Sequence, residues 1–343
     1  MVETGGNSSI PEDHPINSDP SASQRVAELI QRIKESTDKL ATDQPSRGDL
    51  KILSRTLKEL RYAFKVFAPY RRSRKVTVFG SARTPADHPA YRQAVAFGQA
   101  MSNHGWFVIT GASSGIMEAG HVGSGRDHAM GLNILLPFEQ VANSVIAGDP
   151  KLVHMKYFFT RKLMFVKETD AICLLPGGFG TLDEGLEVLT LLQTGKHDMM
   201  PMVLLDEPGG DYWACFQEFV KKQLLDRGMI SPEDLSLYKL TDNADEAVAE
   251  ILQFYRVYHS LRYVRSNLVV RLQRRPGEAL LETINTNFAD ILLEGRFRVG
   301  EALAEEHDDP ELADLPRLIF QFDRRNYGRL RQLIDCINSD QGL

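Results

Sequence analysis

Leu50, Leu53, Leu57, Leu60, Phe64 and Phe67 recur at alternating steps of three and four residues, with mostly polar residues between them. That spacing draws one apolar stripe along a helix. It is also a heptad seam, though too short to hold a coiled coil alone. The stripe is therefore expected to dock on the body of the protein, with a dimer contact as the second reading. Residues 1–22 lack periodicity and are poor in large apolar side chains, which predicts a disordered tail ahead of a helical segment over 23–73.

From Val76 the pattern changes to near-continuous β-favouring runs: Val76–Phe79, Trp106–Ile109, Leu132–Leu136, Ala171–Leu175 and Met202–Leu205. Gly, Pro or Asp follows each within two residues, and helical stretches lie between them. Strands apolar on both faces and separated by helices predict an α/β fold, a doubly wound parallel sheet of Rossmann-like type, over residues 74–258. A helix from Asn243 to about Tyr258 is expected to close it. Beyond lie a strand at Leu268–Leu272, a helix at Glu278–Leu292, strands at Phe297–Leu303 and Leu318–Phe322, and a helix at Tyr327–Ile337. That βαββα order predicts a small C-terminal α+β accessory domain over 259–343.

Composition narrows the function. The chain has 343 residues, 43% hydrophobic and 25% charged, as in compact globular proteins. Its 40 Lys and Arg against 46 Asp and Glu leave a net charge of -6, which gives polyanions no general attraction and argues against a nucleic-acid partner. Cys173, Cys215 and Cys336 are too far apart to suggest a disulfide framework or a zinc ribbon, so a reducing cytoplasm is expected. No leader pattern and no run long enough to cross a bilayer is present, and no membrane partner is expected. His121, His128, His154 and His197 lack ligand-like spacing, so neither a metal nor a cofactor is expected. The basic run Arg71–Lys75 is read as a solvated stretch before the first strand.

Parallel sheets of this kind bind ligands beyond the carboxyl ends of their strands. The Gly-rich segments Gly80–Ser81, Gly111–Gly115 and Gly177–Gly180 fall there. In Pro176-Gly177-Gly178-Phe179-Gly180-Thr181-Leu182-Asp183-Glu184, three glycines let a ligand approach the backbone, and the following helix offers free N–H groups and the positive end of its dipole. That is a phosphate cradle. It is neither a Walker loop nor a dinucleotide fingerprint, because no Gly-Lys-Ser/Thr follows and Asp183 stands where a third glycine would be needed. Glu184 has two readings: a carboxylate facing the ligand, or the second half of a capping box with Thr181. Arg161 and Lys162, on the helix preceding the same strand, are either ligand-facing or a solvated helix face.

Residues 74 to 206 resemble the Lonely Guy family of phosphoribohydrolases, often described as possible lysine decarboxylases. The resemblance rests on Thr160-Arg161-Lys162 and on Pro176 to Glu184. It extends to Gly80-Ser81, Gly115-Ile116-Met117-Glu118-Ala119, Gly131-Leu132-Asn133, Leu136-Pro137-Phe138-Glu139-Gln140 and Gln193-Thr194-Gly195-Lys196. The chain departs from the family at Ala112, Ser113 and Ser114, where relatives carry a glycine-rich stretch, and in its N-terminal helices and C-terminal domain.

The resemblance implies a nucleotide N-glycosidase of AMP nucleosidase type. It would release free base and ribose 5-phosphate from a nucleoside 5′-monophosphate such as AMP or a cytokinin riboside monophosphate. Arg161 and Glu184 would be the catalytic pair. Gly80, Ser81, Gly111, Gly115, Met117, Lys162, Gly177, Gly178, Gly180 and Thr181 would contact substrate. It also implies a homodimer or higher homo-oligomer. The alternative is a non-catalytic nucleotide or molybdenum-cofactor carrier, whose fold is similar. Pyridoxal-phosphate decarboxylation, suggested by the older description, has no supporting pattern in the sequence.

Overall fold

The computed structural model describes residues 20–135, 142–307 and 309–340, in two compact units that divide between Lys58 and Glu59. Most of the expected tail, residues 1–19, lies outside the described residues, as does the family match Leu136 to Gln140.

The first unit holds helix α1 (Pro20–Asp43) and the start of helix α2 (Arg47–Phe67). The helix of the stripe is present, and the end of the stripe docks as expected: Phe67 is buried in the core and Leu60 packs against it. Leu50, Leu53, Leu57 and Phe64 are exposed, and so are Val26, Leu29, Ile30 and Ile33 on α1. Phe67 is joined in burial by Glu59 and Ala63, which lie outside the stripe and are spaced by four along α2. The small Ala63 and the acid Glu59 gave that row no hydrophobic signature.

The second unit begins with strand β1 (Lys75–Phe79), α3 (Pro89–Asn103), β2 (Phe107–Thr110), α4 (Ile116–His128), β3 (Ala129–Ile134), β4 (Leu152–Met155) and α5 (Phe158–Glu168). It continues with β5 (Ala171–Leu174), α6 (Phe179–Gln193), β6 (Met202–Leu205), α7 (Tyr212–Phe219), β7 (Lys239–Thr241) and α8 (Ala244–Phe254). The seven strands form one sheet in the order β4-β3-β2-β1-β5-β6-β7, every neighbouring pair parallel. The chain winds outward from β1 in one direction and returns to begin the other half at β5. The topological switch point therefore lies between β1 and β5.

Successive side chains on a strand point to opposite faces, and here both faces are dry. Val76, Val78, Cys173, Val203 and Leu205 pack with Ala94 and Phe97 of α3, Ala119 of α4 and Ile251 of α8. Phe79, Ile172, Leu174 and Leu204 pack on the other face with Met164 and Phe165 of α5 and Val188 and Leu192 of α6.

The C-terminal part is the expected small α+β structure, with one strand more than the pattern predicts. Strands β8 (Tyr258–Val264) and β9 (Asn267–Leu272), helix α9 (Glu278–Asn287), strands β10 (Leu292–Gly300) and β11 (Arg317–Phe322) and helix α10 (Tyr327–Ser339) build an antiparallel sheet in the order β10-β11-β9-β8. Helix α8 ends at Phe254, so Tyr258 opens a strand rather than closing a helix. Leu268, Val270, Phe297 and Phe320 pack beneath Ile284 of α9 and Leu333 and Ile337 of α10. Under the other face, Glu306 accepts from Arg271 at 2.9 Å and Arg317 at 3.1 Å, so both buried cations are paired.

Helices α3 and α4 approach closely because small residues face each other. A Cβ added at Gly98 would lie 2.5 Å from the Gly120 carbonyl oxygen, and one at Gly123 would overlap the Val95 carbonyl. Backbone cannot give way as a flexible side chain can. Gly123→Ala should therefore destabilise the protein by roughly 1–3 kcal/mol, the scale of overpacking, despite alanine's better helix propensity. Denaturant unfolding checks this, and a Gly123→Ala protein as stable as wild type would mean that the two helices are not in contact as described.

Candidate active site at the sheet's switch point

Three loops leave the carboxyl ends of β1, β2 and β5 and knit together at the switch point. Ser81 N–H donates to the Pro176 carbonyl at 3.1 Å, Ile116 N–H donates to the Ser81 carbonyl at 3.0 Å, and the Ser114 hydroxyl donates to the Ala82 carbonyl at 2.8 Å. The glycines expected to touch a ligand divide accordingly. Gly80, Gly115 and Gly177 have no room for a Cβ: it would meet Ile116, the Ser81 carbonyl, and Thr181 with Ser81 N, respectively. They bring loop against loop. Gly178 and Gly180 face open space, with nothing within 4 Å of an added Cβ. A Cβ at Gly111 would lie 3.8–3.9 Å from the Arg161 guanidinium nitrogens and 2.6 Å from the Met117 sulfur, so Gly111 keeps space clear beside Arg161.

Helix α6 begins at Phe179 with Gly178 as its N-cap, and no side chain caps it. Thr181 is then the third helical residue and Glu184 lies inside the second turn. The capping-box reading of Thr181 and Glu184 fails because the helix starts three residues earlier than that motif needs. Both side chains are buried nonetheless, Thr181 against Gly177 and Glu184 at 5% exposure.

A buried carboxylate requires compensation. Helix α5 provides it: Lys162 Nζ lies 3.5 Å from Glu184 Oε2, 3.0 Å from Asp183 Oδ2 and 2.5 Å from Glu187 Oε2. Burial raises the Glu184 pKa above its ordinary 4.5, and Lys162 and Arg161 only partly offset this. For Lys162, burial lowers the pKa, but Glu187, Asp183 and Glu184 outweigh it and the net shift is upward. Lys162 is therefore engaged with three carboxylates. The Arg161 guanidinium lies over the Phe165 and Phe158 rings at 5.3 and 5.6 Å, and its Nε is buried without a hydrogen-bond partner. Burial lowers its pKa and Glu184 raises it, but an arginine stays cationic.

Several contributors carried no local sequence signal. Tyr212 of α7 donates its hydroxyl to the Gly177 carbonyl at 2.7 Å. His121, 3.1 Å from Thr110 Oγ1 and 3.0 Å from the Met130 carbonyl, meets Asn143, whose backbone N–H and side-chain amide donate to the Ala112 and Ser113 carbonyls. That brace holds Ala112 at a φ of 60°, a left-handed conformation unusual for a residue with a Cβ. Burial lowers the His121 pKa to about 4, so the brace is neutral at physiological pH. Arg74, from the basic run, pairs with Asp170 and lies over the Tyr255 ring, so that end of the run is structural. Among the described residues, no three His, Cys, Asp or Glu side chains are grouped to hold a metal, and no helix is long and apolar enough to cross a membrane.

A Glu184→Gln substitution should leave the thermal midpoint at or above wild type near pH 7. A carboxyl whose folded pKa exceeds its unfolded one costs stability when ionised, fully above the folded pKa and not at all below the unfolded one. Any advantage of Glu184→Gln should therefore shrink as pH falls through the raised pKa toward 4.5. Thermal scans over pH check the sign; a variant clearly less stable than wild type at pH 7 would contradict the burial argument.

Comparison with known proteins adds family relationships. A family model described as "Possible lysine decarboxylase" matches residues 110–251. Cytokinin riboside 5′-monophosphate phosphoribohydrolase LOG3 of Arabidopsis thaliana is 35% identical over 153 residues, 43% of this chain and 66% of that enzyme's length. Probable cytokinin riboside 5′-monophosphate phosphoribohydrolase LOGL5 of Oryza sativa subsp. japonica is 30% identical over 191 residues, 53% of this chain and 73% of that protein. Among solved structures, the molybdenum cofactor carrier protein MCP from Chlamydomonas reinhardtii aligns with 53% of this chain and 98% of its own, at 20% identity and a TM-score of 0.38.

Proposed function

Because the chain belongs to the Lonely Guy family of phosphoribohydrolases, we propose that it hydrolyses the N-glycosidic bond of a nucleoside 5′-monophosphate, releasing free base and ribose 5-phosphate. The observation that carries this reading is Glu184: a buried carboxylate with no capping duty, set among cations on the helix that opens at the unobstructed glycines Gly178 and Gly180.

The chemistry follows from those parts. The N-terminus of α6 and the open backbone at Gly178 and Gly180 would hold the 5′-phosphate, whose binding energy places the ribose. As the bond from C1′ to the base nitrogen lengthens, its electron pair leaves with the base and positive charge develops on the ribose ring. Glu184 stabilises that charge and orients the water whose oxygen forms the new bond to C1′; the proton released ends on the departing base. Arg161, with an unpartnered Nε, offers a planar fork of donors to phosphate or base. Lys162 is proposed to keep Glu184 ionised more than to bind substrate. Such a charged pair serves hydrolysis and has no evident use in a carrier.

AMP is the first substrate to test and a cytokinin riboside monophosphate the second; the proposed setting is cytoplasmic and the proposed assembly a homodimer or larger.

AMP should be cleaved and adenosine should not, because only the nucleotide brings the anchoring phosphate. Glu184→Gln and Arg161→Ala should each lower kcat by roughly 10²-fold or more while the fold survives. The acid limb of kcat/KM should lie above 4.5, since Glu184 works ionised and its pKa is raised. Product analysis by chromatography checks all three. Equal rates on AMP and adenosine, or wild-type turnover by Glu184→Gln, would overturn the assignment.

A further inference from the structure

Helix α2 lies outside the stretch matched by the family model, yet one of its buried residues reaches the proposed catalytic helix. Glu59 is 4% exposed. Its Oε1 accepts from Lys156 N–H at 2.8 Å, and its Oε2 accepts from the Thr160 hydroxyl at 2.8 Å. These two groups bracket the start of α5, which opens at Phe158 with Tyr157 as N-cap and no side-chain cap of its own. The Thr160 hydroxyl also lies 2.9 Å from the Tyr157 carbonyl, and Arg161 N–H bonds to the same carbonyl at 3.3 Å. One carboxylate from a residue about a hundred positions away thus holds the first turn of the helix that carries Arg161 and Lys162.

A carboxylate is costly to bury for packing alone, and apolar neighbours such as Ala63 and Phe67 could have filled this face. What an acid adds is direction. It accepts two bonds at fixed angles and complements the positive end of the α5 dipole. A rotation of α5 by a fraction of a turn would move the Arg161 guanidinium off Phe165 and alter its distance from Glu184.

We propose that Glu59 is a positioning residue: through Lys156 N–H and Thr160 it sets the start of α5, and thereby the placement of Arg161 in the nucleotide site. The inference rests on the reading of Arg161 as a substrate-contacting group. It assigns α2 a part in catalysis without contact between α2 and substrate.

The test compares wild type with Glu59→Ala, Glu59→Gln and Thr160→Val, each well below its thermal midpoint. Three quantities are read: amide hydrogen exchange in peptides covering residues 156–163, kcat and KM on AMP, and AMP affinity by calorimetry. Glu59→Ala should speed exchange at the start of α5, lower kcat roughly tenfold or more and weaken AMP binding, since small misplacements of a catalytic group are costly. Glu59→Gln can still accept from Lys156 N–H and can donate to the Thr160 oxygen, so it should recover activity to within a few-fold of wild type. Thr160→Val keeps the volume and removes one bond, and should fall between them; if Glu59→Ala does not fold, Thr160→Val and Glu59→Gln decide. Faster exchange with unchanged kcat and affinity would reduce Glu59 to a purely structural role and overturn the proposal, as would unchanged exchange. If wild type cleaves no nucleotide, the hydrolase reading fails, and AMP affinity across the same variants still decides the positioning claim.

Discussion

An ionised carboxyl group cannot be buried without cations nearby, and Glu184 is buried. Its compensation comes from helix α5, where Lys162 makes the direct contact and Arg161 contributes field. The two helices flank β5, so they can meet only if that strand ends where it does and turns sharply at Pro176 to Gly178. The requirement that Glu184 be charged, buried and paired thus ties together the strand end, the glycine loop and the relative setting of α5 and α6. The arrangement costs stability, because burial makes the ionised form less favourable in the folded chain than in water.

The loops at the switch point show how backbone proximity is obtained without filling the site. Gly80, Gly115 and Gly177 let three loops touch, which leaves Gly178 and Gly180 open. Ala112 adopts a left-handed conformation, secured by Thr110 and the Asn143 and His121 brace.

The parallel sheet was legible in the sequence because its central strands are apolar on both faces: Val76–Phe79 and Ala171–Leu175 could be read directly as buried strands. The strands that escaped notice lie at sheet edges. β7 is only Lys239-Leu240-Thr241, β4 carries an exposed His154, and β8 has only partly buried residues between Tyr258, Leu261 and Val264. Edge strands contact one neighbour and need less apolar surface. Arg161 and Glu184 could be singled out in the sequence as candidates because each sits in a local motif. Glu59, Tyr212 and Asn143 could not, since their partners lie far along the chain and only folding reveals the pairing. The stripe on α2 marked its helix correctly, and Leu60 and Phe67 meet the core, but regular apolar spacing could not show that Glu59 and Ala63 are buried beside them.

The central claim is that water attacks C1′ of the ribose while the base leaves. Turnover of AMP in ¹⁸O-labelled water, followed by mass spectrometry before the anomeric oxygen of the sugar exchanges, tests it most directly. The account predicts one ¹⁸O in ribose 5-phosphate, unlabelled adenine and no inorganic phosphate. Labelled inorganic phosphate together with adenosine would show attack at phosphorus and contradict it.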